Sequence, residues 1–214
     1  MGKLNLFLDL DGPILDVSER YFRVHEDVVR SFENRCLADR DEYWKMKRSR
    51  KALGEILEKF SERQVSESAF LEEWLKRIES PEYLKLDKLI PGVKKQLYRL
   101  KERLDLVLVT LRRNQDGLGD QLRHLDLSPF FSHVLSATPM RSESWKVKRD
   151  LIASSGLLSA GNWIIGDSEV DILAGKALGM KTIAVLSGIR NSAVLKEVAP
   201  DFIVEDLNHL PCLD

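Results

Sequence analysis

Two carboxylates two positions apart follow the first apolar run of the sequence. Asp9 and Asp11 come directly after residues 4–8, and Gly12 follows them. Because successive side chains of a strand alternate between its faces, residues two apart begin on the same side. Carboxylates that share a side repel each other unless a cation, a proton or a shared reaction compensates. In a catalytic interpretation of the pair, Asp9 would attack phosphorus and Asp11 would serve as general acid and then as general base.

Structural interpretations of the same pair stay open at this point. The aspartates would also suit a helix N-terminal cap or an Asx turn, helped by Gly12. A calcium loop is disfavoured, because Pro13 stands where a third oxygen ligand is expected and no glutamate closes the loop.

Candidate phosphate-binding residues follow two later apolar runs. Thr110 ends the run 106–110, where its hydroxyl and the backbone N–H groups after it would hold phosphoryl oxygens. Lys146 lies between the third predicted strand and the next helix, where its ammonium would bind the transferring phosphoryl group. Lys148 competes for that role, and each of these residues is also compatible with a structural or surface position. Arg112 and Arg113, which follow Thr110 closely, are further candidates for a phosphate contact, with at least one of them expected on the solvated surface.

A second acidic motif follows the run 163–165. Asp167 and Asp171 are four residues apart, so they share a face at the start of a helix. The helix dipole also stabilises acids there, which is the structural alternative. Since Mg²⁺ prefers hard oxygen ligands, we predict a magnesium site formed by Asp9, the backbone carbonyl of Asp11 and Asp167.

Strands alternating with helices must position these residues. Short runs rich in Val, Ile and Leu recur at 4–8, 106–109, 133–135, 163–165, 182–185 and 202–204. Segments of helical periodicity separate the later runs, so we predict an α/β fold with a parallel sheet covered on both faces. Ligands bind at the carboxyl ends of such strands, and the motifs above lie at successive strand ends.

The stretch between the first two predicted strands contains amphipathic helical patterns and no convincing strand. We predict one helix with Ser18 as its N-cap, a second through 43–60 and a third through 66–78. The expected organisation is a core domain of residues 1–15 and 90–214 with a helical cap domain of residues 16–89.

Composition is that of an ordinary globular protein. Of 214 residues, 43% are hydrophobic and 31% charged, with a formal net charge of −1, so no global field would recruit nucleic acid or a membrane. No apolar run approaches the roughly 20 residues of a membrane span, and no signal peptide is recognisable. We therefore expect a cytoplasmic protein, monomeric or homodimeric, whose partner is a small molecule.

The motifs resemble those of the haloacid dehalogenase superfamily, specifically its phosphoglycolate-phosphatase-like members with a helical (C1-type) cap. The resemblance covers nearly the whole chain, and its specific parts are residues 9–12 and 166–171. It implies a Rossmann-like parallel sheet with an inserted α-helical cap. It also implies a Mg²⁺-dependent phosphatase that forms an aspartyl-phosphate on a small phosphorylated metabolite such as phosphoglycolate, a sugar phosphate or a nucleotide.

The resemblance also implies a role for each motif residue. Asp9 would be the nucleophile and Asp11 the acid/base, while Asp167 would bind the metal and Asp171 would be the second acid of the metal motif. The residues implied for phosphate and substrate binding are Thr110, Leu111 and Lys146.

The sequence departs from the family pattern at three places. Pro13 replaces a Thr, Leu111 stands where relatives often carry Asn, and no Pro follows Lys146. The cap is expected to select the substrate. Arg20 and Tyr21 lie near its mouth by chain proximity, and the basic run 45–51 is a further candidate for attracting an anion.

Three alternatives to a phosphatase remain at this point. A phosphomutase of the same superfamily would keep the chemistry and return the phosphoryl group to the substrate. A phospho-acceptor signalling domain also combines acids, Thr and Lys on a parallel sheet, but it is shorter and lacks the helical insert. A non-catalytic interaction module would not require Asp9, Asp11 and Asp167 together.

Overall fold

Six parallel strands form the central sheet. The computed structural model describes residues 3–33, 36–62, 65–137 and 143–213. In chain order its strands are β1 (Asn5–Leu8), β2 (Leu15–Asp16), β3 (Lys88–Leu89), β4 (Asp105–Thr110), β5 (His133–Ser136), β6 (Trp163–Gly166), β7 (Lys181–Val185) and β8 (Phe202–Val204). The order in the sheet is β5-β4-β1-β6-β7-β8, with every pairing parallel, and β2 pairs antiparallel with β3. The predicted α/β fold is confirmed.

Helices separate the strands of the sheet and fill the stretch between β2 and β3. They are α1 (Ser18–Glu33), α2 (Arg40–Arg48), α3 (Leu53–Phe60), α4 (Glu67–Arg77), α5 (Pro81–Leu84), α6 (Val93–Arg103), α7 (Gln115–His124), α8 (Ser144–Ser154), α9 (Glu169–Ala177) and α10 (Ser192–Glu197). Within the described ranges, no helix combines the length and the apolar character that crossing a membrane requires.

The core lies on both faces of the sheet because the side chains of its central strands alternate. Leu6 and Leu8 of β1 pack into one apolar cluster, whereas Phe7, between them, packs into another with Val107 and Val109 of β4. The three β1 side chains are completely buried. Burial of each large apolar side chain contributes about 2 kcal/mol, so β1 is firmly anchored immediately before Asp9.

Helices α1–α5, here called the helical insert, have an apolar core of their own. Val24 and Val28 of α1 pack with Leu57 of α3 and Phe70 of α4. The predicted helix 66–78 is confirmed as α4. These helices all fall within the predicted cap range 16–89; the division into cap and core domains at those boundaries stays a prediction.

Two helix predictions for the insert are wrong in detail. The predicted helix 43–60 is two helices, because the chain turns after α2 with Arg50 in the left-handed region at φ 55°. Ser18 is the first residue of α1 rather than its N-cap. Its backbone N–H donates to the Asp16 carboxylate at 2.9 Å, and its hydroxyl accepts from Arg40.

The parallel register brings three strand ends to one edge of the sheet. Leu8 of β1 lies opposite Leu108 of β4 and Ile165 of β6. The N–H of Asp9 donates to the carbonyl of Ile165 at 2.9 Å, which extends this pairing by one residue. Gly12, at φ 96°, then turns the chain toward the helical insert.

Candidate active site

Three carboxylates converge at the edge of the sheet where β1 and β6 end. Asp9, Asp167 and Asp171 each place one oxygen so that all three lie within 4.8 Å of one another. Asp9 is half-buried, and Asp167 and Asp171 are buried. Such a group of hard oxygen donors suits a hard divalent cation.

Burial and repulsion between carboxylates make Asp9 and Asp167 hard to ionise in the absence of a metal ion. Burial, more than the neighbouring Asp171 and Asp11, raises the pKa of Asp9 to about 7 despite the opposing effect of Lys148. Burial, with Asp171 and Asp9, also raises the pKa of Asp167 well above its ordinary value. A divalent cation bound here would offset the electrostatic cost of ionising these carboxylates, so the residues present fit a metal ion.

The carboxylate of Asp167 is held in a tight backbone cradle. Its Oδ2 accepts a hydrogen bond from the N–H of Ile189 at 2.6 Å. A Cβ added at either Gly12 or Gly188 would collide with the Asp167 side chain. The two glycines therefore allow the backbone to approach the carboxylate closely and define its position.

Lys148 supplies the positive charge within the cluster. Its ammonium lies 3.1 Å from Asp9 Oδ1 and 2.5 Å from Asp171 Oδ1. Burial alone would lower the pKa of Lys148, but Asp171 and Asp9 raise it above the ordinary lysine value. Lys148 is therefore a permanently charged group beside the predicted nucleophile.

Asp171 has two partners besides the metal cluster. Its Oδ2 accepts from the backbone N–H and the hydroxyl of Ser168 at 3.2 and 2.7 Å, which forms a capping box at the start of α9. Its other oxygen binds Lys148. This arrangement fixes the position of Lys148 and leaves Asp9 and Asp167 as the better metal donors.

The structure does not bring Lys146 to the carboxylates. The Lys146 ammonium pairs with Glu143 at 2.5 Å, and 45% of its side chain is exposed. Residues two apart do not face the same side of a helix, so α8 can direct only one of these lysines inward. Ile152, fully buried four residues after Lys148, marks the inward face and is the sequence signal that would have selected Lys148.

Asp11 binds two buried arginines. Arg112 donates to its two carboxylate oxygens, Nη2 to Oδ1 at 2.5 Å and Nε to Oδ2 at 3.2 Å. Arg20 of α1 donates to Oδ2 at 2.7 Å. Burial alone would raise the pKa of Asp11, but Arg112 and Arg20 together hold it below its usual range.

Asp87 completes this group, here called the arginine–aspartate network (Asp11, Arg20, Asp87 and Arg112). Its carboxylate lies 2.9 Å from Arg20 Nε and 3.3 Å from Arg112 Nη2, and Gln121 donates to it at 2.8 Å. The network joins the segment after β1, the helical insert, the chain before β3 and the loop after β4. Motif spacing contained no signal for Asp87, because an isolated acid in a connecting segment has none.

A cavity of about 450 Å³ lies between this edge of the sheet and the helical insert. Thr110 and Leu111 line it together with Asp9, Asp11 and Asp167. Thr110 is buried at the end of β4, where its hydroxyl accepts from the N–H of Arg112 at 3.4 Å. Further lining residues include Arg20, Tyr21, Arg112 and Lys148, whereas none of the basic run 45–51 lines the cavity.

The raised pKa of Asp9 has a consequence for the stability of the metal-free protein. A carboxyl group with a raised native pKa keeps its proton in the folded state at pH values where the unfolded chain has lost it. The native state is therefore disfavoured as pH rises from 5 to 8. Asp9→Asn mimics the protonated form, so its stability should lack this pH dependence. We therefore expect the difference in free energy of unfolding between Asp9→Asn and the wild type to be about 2 to 3 kcal/mol larger at pH 8 than at pH 5.

Urea titrations of both proteins in chelator test this expectation. Burial lowers the pKa of His25 to about 3, so ionisation of His25 changes stability with pH in the opposite direction. Both proteins contain His25, so its effect cancels in the difference between them. A difference independent of pH would contradict a raised pKa at Asp9.

Comparison with protein families and curated proteins supports one assignment. A family model described as haloacid dehalogenase-like hydrolase matches residues 6–185. The phosphoglycolate phosphatase of Pseudomonas fluorescens (strain Pf0-1) is 25% identical over 129 residues, 58% of this chain and 47% of the relative. That of Synechococcus elongatus is 26% identical over 117 residues, 55% of each chain. The chain thus spans about half the length of these curated relatives.

Solved structures match the fold along almost the whole chain. A haloacid dehalogenase-like family hydrolase from Streptococcus pneumoniae has a TM-score of 0.75 at 18% identity, covering 96% of this chain and 95% of the other. A HAD-superfamily hydrolase of subfamily IA, variant 1, from Geobacter sulfurreducens has a TM-score of 0.63 at 19% identity, covering 96% of both. These similarities show the fold.

Proposed function

The chain belongs to the haloacid dehalogenase-like hydrolases, and from this membership we propose a Mg²⁺-dependent phosphatase that acts on a small phosphorylated metabolite through an aspartyl-phosphate. The main support for the proposal is the environment of the Asp9 carboxylate. This half-buried carboxylate lines the cavity, beside the ammonium of Lys148 at 3.1 Å and close to two further carboxylates. A cytoplasmic location and a monomeric or homodimeric state stay predictions.

Two displacements at phosphorus make up the proposed reaction. A carboxylate oxygen of Asp9 forms a bond to phosphorus while the bond to the alcohol oxygen breaks, and the alcohol leaves with the electron pair and a proton from Asp11. Water then attacks phosphorus and gives its proton to Asp11, and the bond to Asp9 breaks, which releases phosphate. Lys148 stabilises the charge that develops on the phosphoryl oxygens.

The arginine–aspartate network bears on the two tasks of Asp11. With Arg20 and Arg112 bound, Asp11 is ionised, which suits the base step. The acid step requires a protonated carboxyl group, so an arginine must release Asp11 before the alcohol leaves. Because Arg20 belongs to the helical insert and Arg112 to the sheet edge, movement of the insert would release one and not the other.

Mg²⁺ fits the oxygen donors of the site. Asp9 and Asp167 would hold it, with the predicted contribution of the Asp11 backbone carbonyl, while Asp171 positions Lys148. When bound, the ion supplies charge neutralisation between the carboxylates and the phosphoryl group. Added Mg²⁺ is expected to raise the thermal denaturation temperature more at pH 8 than at pH 5, because it binds the ionised carboxylates.

Phosphate release from para-nitrophenyl phosphate tests the proposal. We expect turnover with Mg²⁺, its loss in chelator and its return on adding Mg²⁺. A panel of phosphorylated metabolites should also yield inorganic phosphate; conversion of a sugar phosphate to an isomer without phosphate release would instead indicate a phosphomutase. Lack of turnover with every ester in the panel would contradict both.

Lys148, rather than Lys146, is assigned here as the phosphate-binding lysine. We expect Lys148→Met to lower kcat/KM by about 100-fold or more, a typical cost of removing one charge-stabilising donor. Lys146→Met changes a lysine of the same helix whose ammonium pairs with Glu143, and should stay within about twofold. Near-ultraviolet circular dichroism would show whether both variants are folded, and a larger loss in Lys146→Met would contradict the assignment.

A further inference from the structure

The part of the cavity formed by the helical insert is mainly apolar. Its lining includes Val17 before α1, Tyr21 on α1, and Trp74, Leu75 and Ile78 in and after α4. The rings of Tyr21 and Trp74 meet edge to face with their centroids 5.5 Å apart. These side chains come from the helical insert, whereas the carboxylates come from the strand ends, so we expect the insert side chains to meet the leaving alcohol of a bound ester.

The charged groups of the lining are already engaged within the protein. Arg20 and Arg112 bind the carboxylates of the arginine–aspartate network. Arg113 donates to the carbonyl of Leu75 at 2.7 Å and lies 3.7 Å from the Glu79 carboxylate. Glu79 also accepts the backbone N–H of Arg113 at 2.8 Å. In the arrangement shown, a second anionic group on the substrate would have to displace one of these internal contacts, and an arginine that releases Asp11 for the acid step must return to it for the base step.

We propose that this cavity selects phosphate monoesters whose alcohol carries an apolar ring, over esters such as phosphoglycolate whose alcohol carries a carboxylate. The proposal rests on the phosphatase function proposed above. A ring would pack against Tyr21 and Trp74 and leave the water. A carboxylate at the same place would lose its hydration and meet apolar side chains, which is unfavourable without a partner.

The size of the cavity agrees with this substrate class. A volume of about 450 Å³ lies within the range of small-ligand sites and accommodates a phosphoryl group together with one ring. Trp74 is half-buried and Leu75 is 43% exposed, so these two residues form the outer wall near solvent. Substitutions at this wall should change the preference between esters and leave the phosphoryl chemistry in place.

Benzyl phosphate and 2-phosphoglycolate are the matched substrates for the test, since both are esters of a primary alcohol. With Mg²⁺, we expect kcat/KM for benzyl phosphate to exceed that for phosphoglycolate by about tenfold or more, the scale on which pocket contacts discriminate. Most of the difference should lie in KM. Equal or faster hydrolysis of phosphoglycolate would overturn the proposal.

A charge introduced at the wall should shift this preference. Leu75→Lys is expected to lower the ratio of the two kcat/KM values at least fivefold, because its ammonium would offer the carboxylate a partner. Leu71→Lys is the matched control, on the same helix one turn earlier, 45% exposed and outside the lining of this cavity. Its ratio should stay that of the wild type; equal shifts in both variants would overturn the assignment of the wall.

Binding of two non-hydrolysable phosphonates separates this proposal from the phosphatase function. By calorimetry with Mg²⁺, 2-phenylethylphosphonate should bind about tenfold more tightly than 3-phosphonopropionate. If this preference appeared while neither ester was hydrolysed, the phosphatase function would fail and the apolar subsite would stand. If both esters were hydrolysed and 3-phosphonopropionate bound at least as tightly, the subsite proposal alone would fail.

Discussion

Asp9→Asn is expected to abolish phosphate release, with kcat lowered by about four orders of magnitude or more. The loss is large because an amide cannot form the phosphorylated intermediate on which the proposed route depends. Phosphate release from para-nitrophenyl phosphate with saturating Mg²⁺ measures it. The change is conservative for the fold, since Asn has nearly the shape of Asp and burial raises the pKa of the Asp9 carboxyl, which favours the neutral form.

Asp105→Asn is the matched control for the nucleophile. Asp105 is the first residue of β4, at the opposite edge of the sheet from the carboxylate cluster. Its variant should keep activity within about twofold of the wild type. Substantial activity in folded Asp9→Asn would contradict nucleophilic attack by Asp9.

The second large effect is expected for stability, from breaking the arginine–aspartate network. Arg20 is 1% exposed and binds both Asp11 and Asp87. Arg20→Met would remove one of the two guanidinium groups that balance the negative charge of these carboxylates. We therefore expect the free energy of unfolding to fall by about 3 to 5 kcal/mol. Urea denaturation at pH 7 measures this change.

Arg23→Met provides a matched control on the same helix. The Arg23 side chain is 49% exposed and pairs with Glu19 and Glu26 on the surface, so its loss should cost less than about 1 kcal/mol. Asp87→Asn combined with Arg20→Met should recover part of the loss, because it removes one of the carboxylates left without a partner. Equal effects of Arg20→Met and Arg23→Met would contradict a structural role for the network.

The sheet and the position of the carboxylates at its edge could be predicted because their signals are local. Apolar runs identified the strands, and acids directly after them identified Asp9 and Asp167 as neighbours across the sheet edge. Parallel strands end at one edge, so chain order alone was enough to place these motifs together. The same logic placed Thr110 beside the cavity.

The features that could not be predicted depend on contacts between segments that are distant in the sequence. The choice between Lys146 and Lys148 depends on which face of α8 meets the sheet. Asp87 becomes important only because Arg20 and Arg112 arrive from other elements. The chain turns between α2 and α3 with Arg50 in the left-handed region. Glycine is the usual residue in that conformation, so an arginine at this position did not indicate a turn. Such features follow from packing rather than from periodicity.

The position of the phosphoryl group on the enzyme during turnover tests the central claim most directly. Protein mixed with a hydrolysed ester and Mg²⁺ should be quenched in acid, digested and mapped by mass spectrometry. A phosphoryl group on the peptide that contains Asp9, removable by hydroxylamine and absent from Asp9→Asn, is the expected result. Rapid turnover without any phosphorylated peptide, or with the phosphoryl group on another residue, would contradict the account.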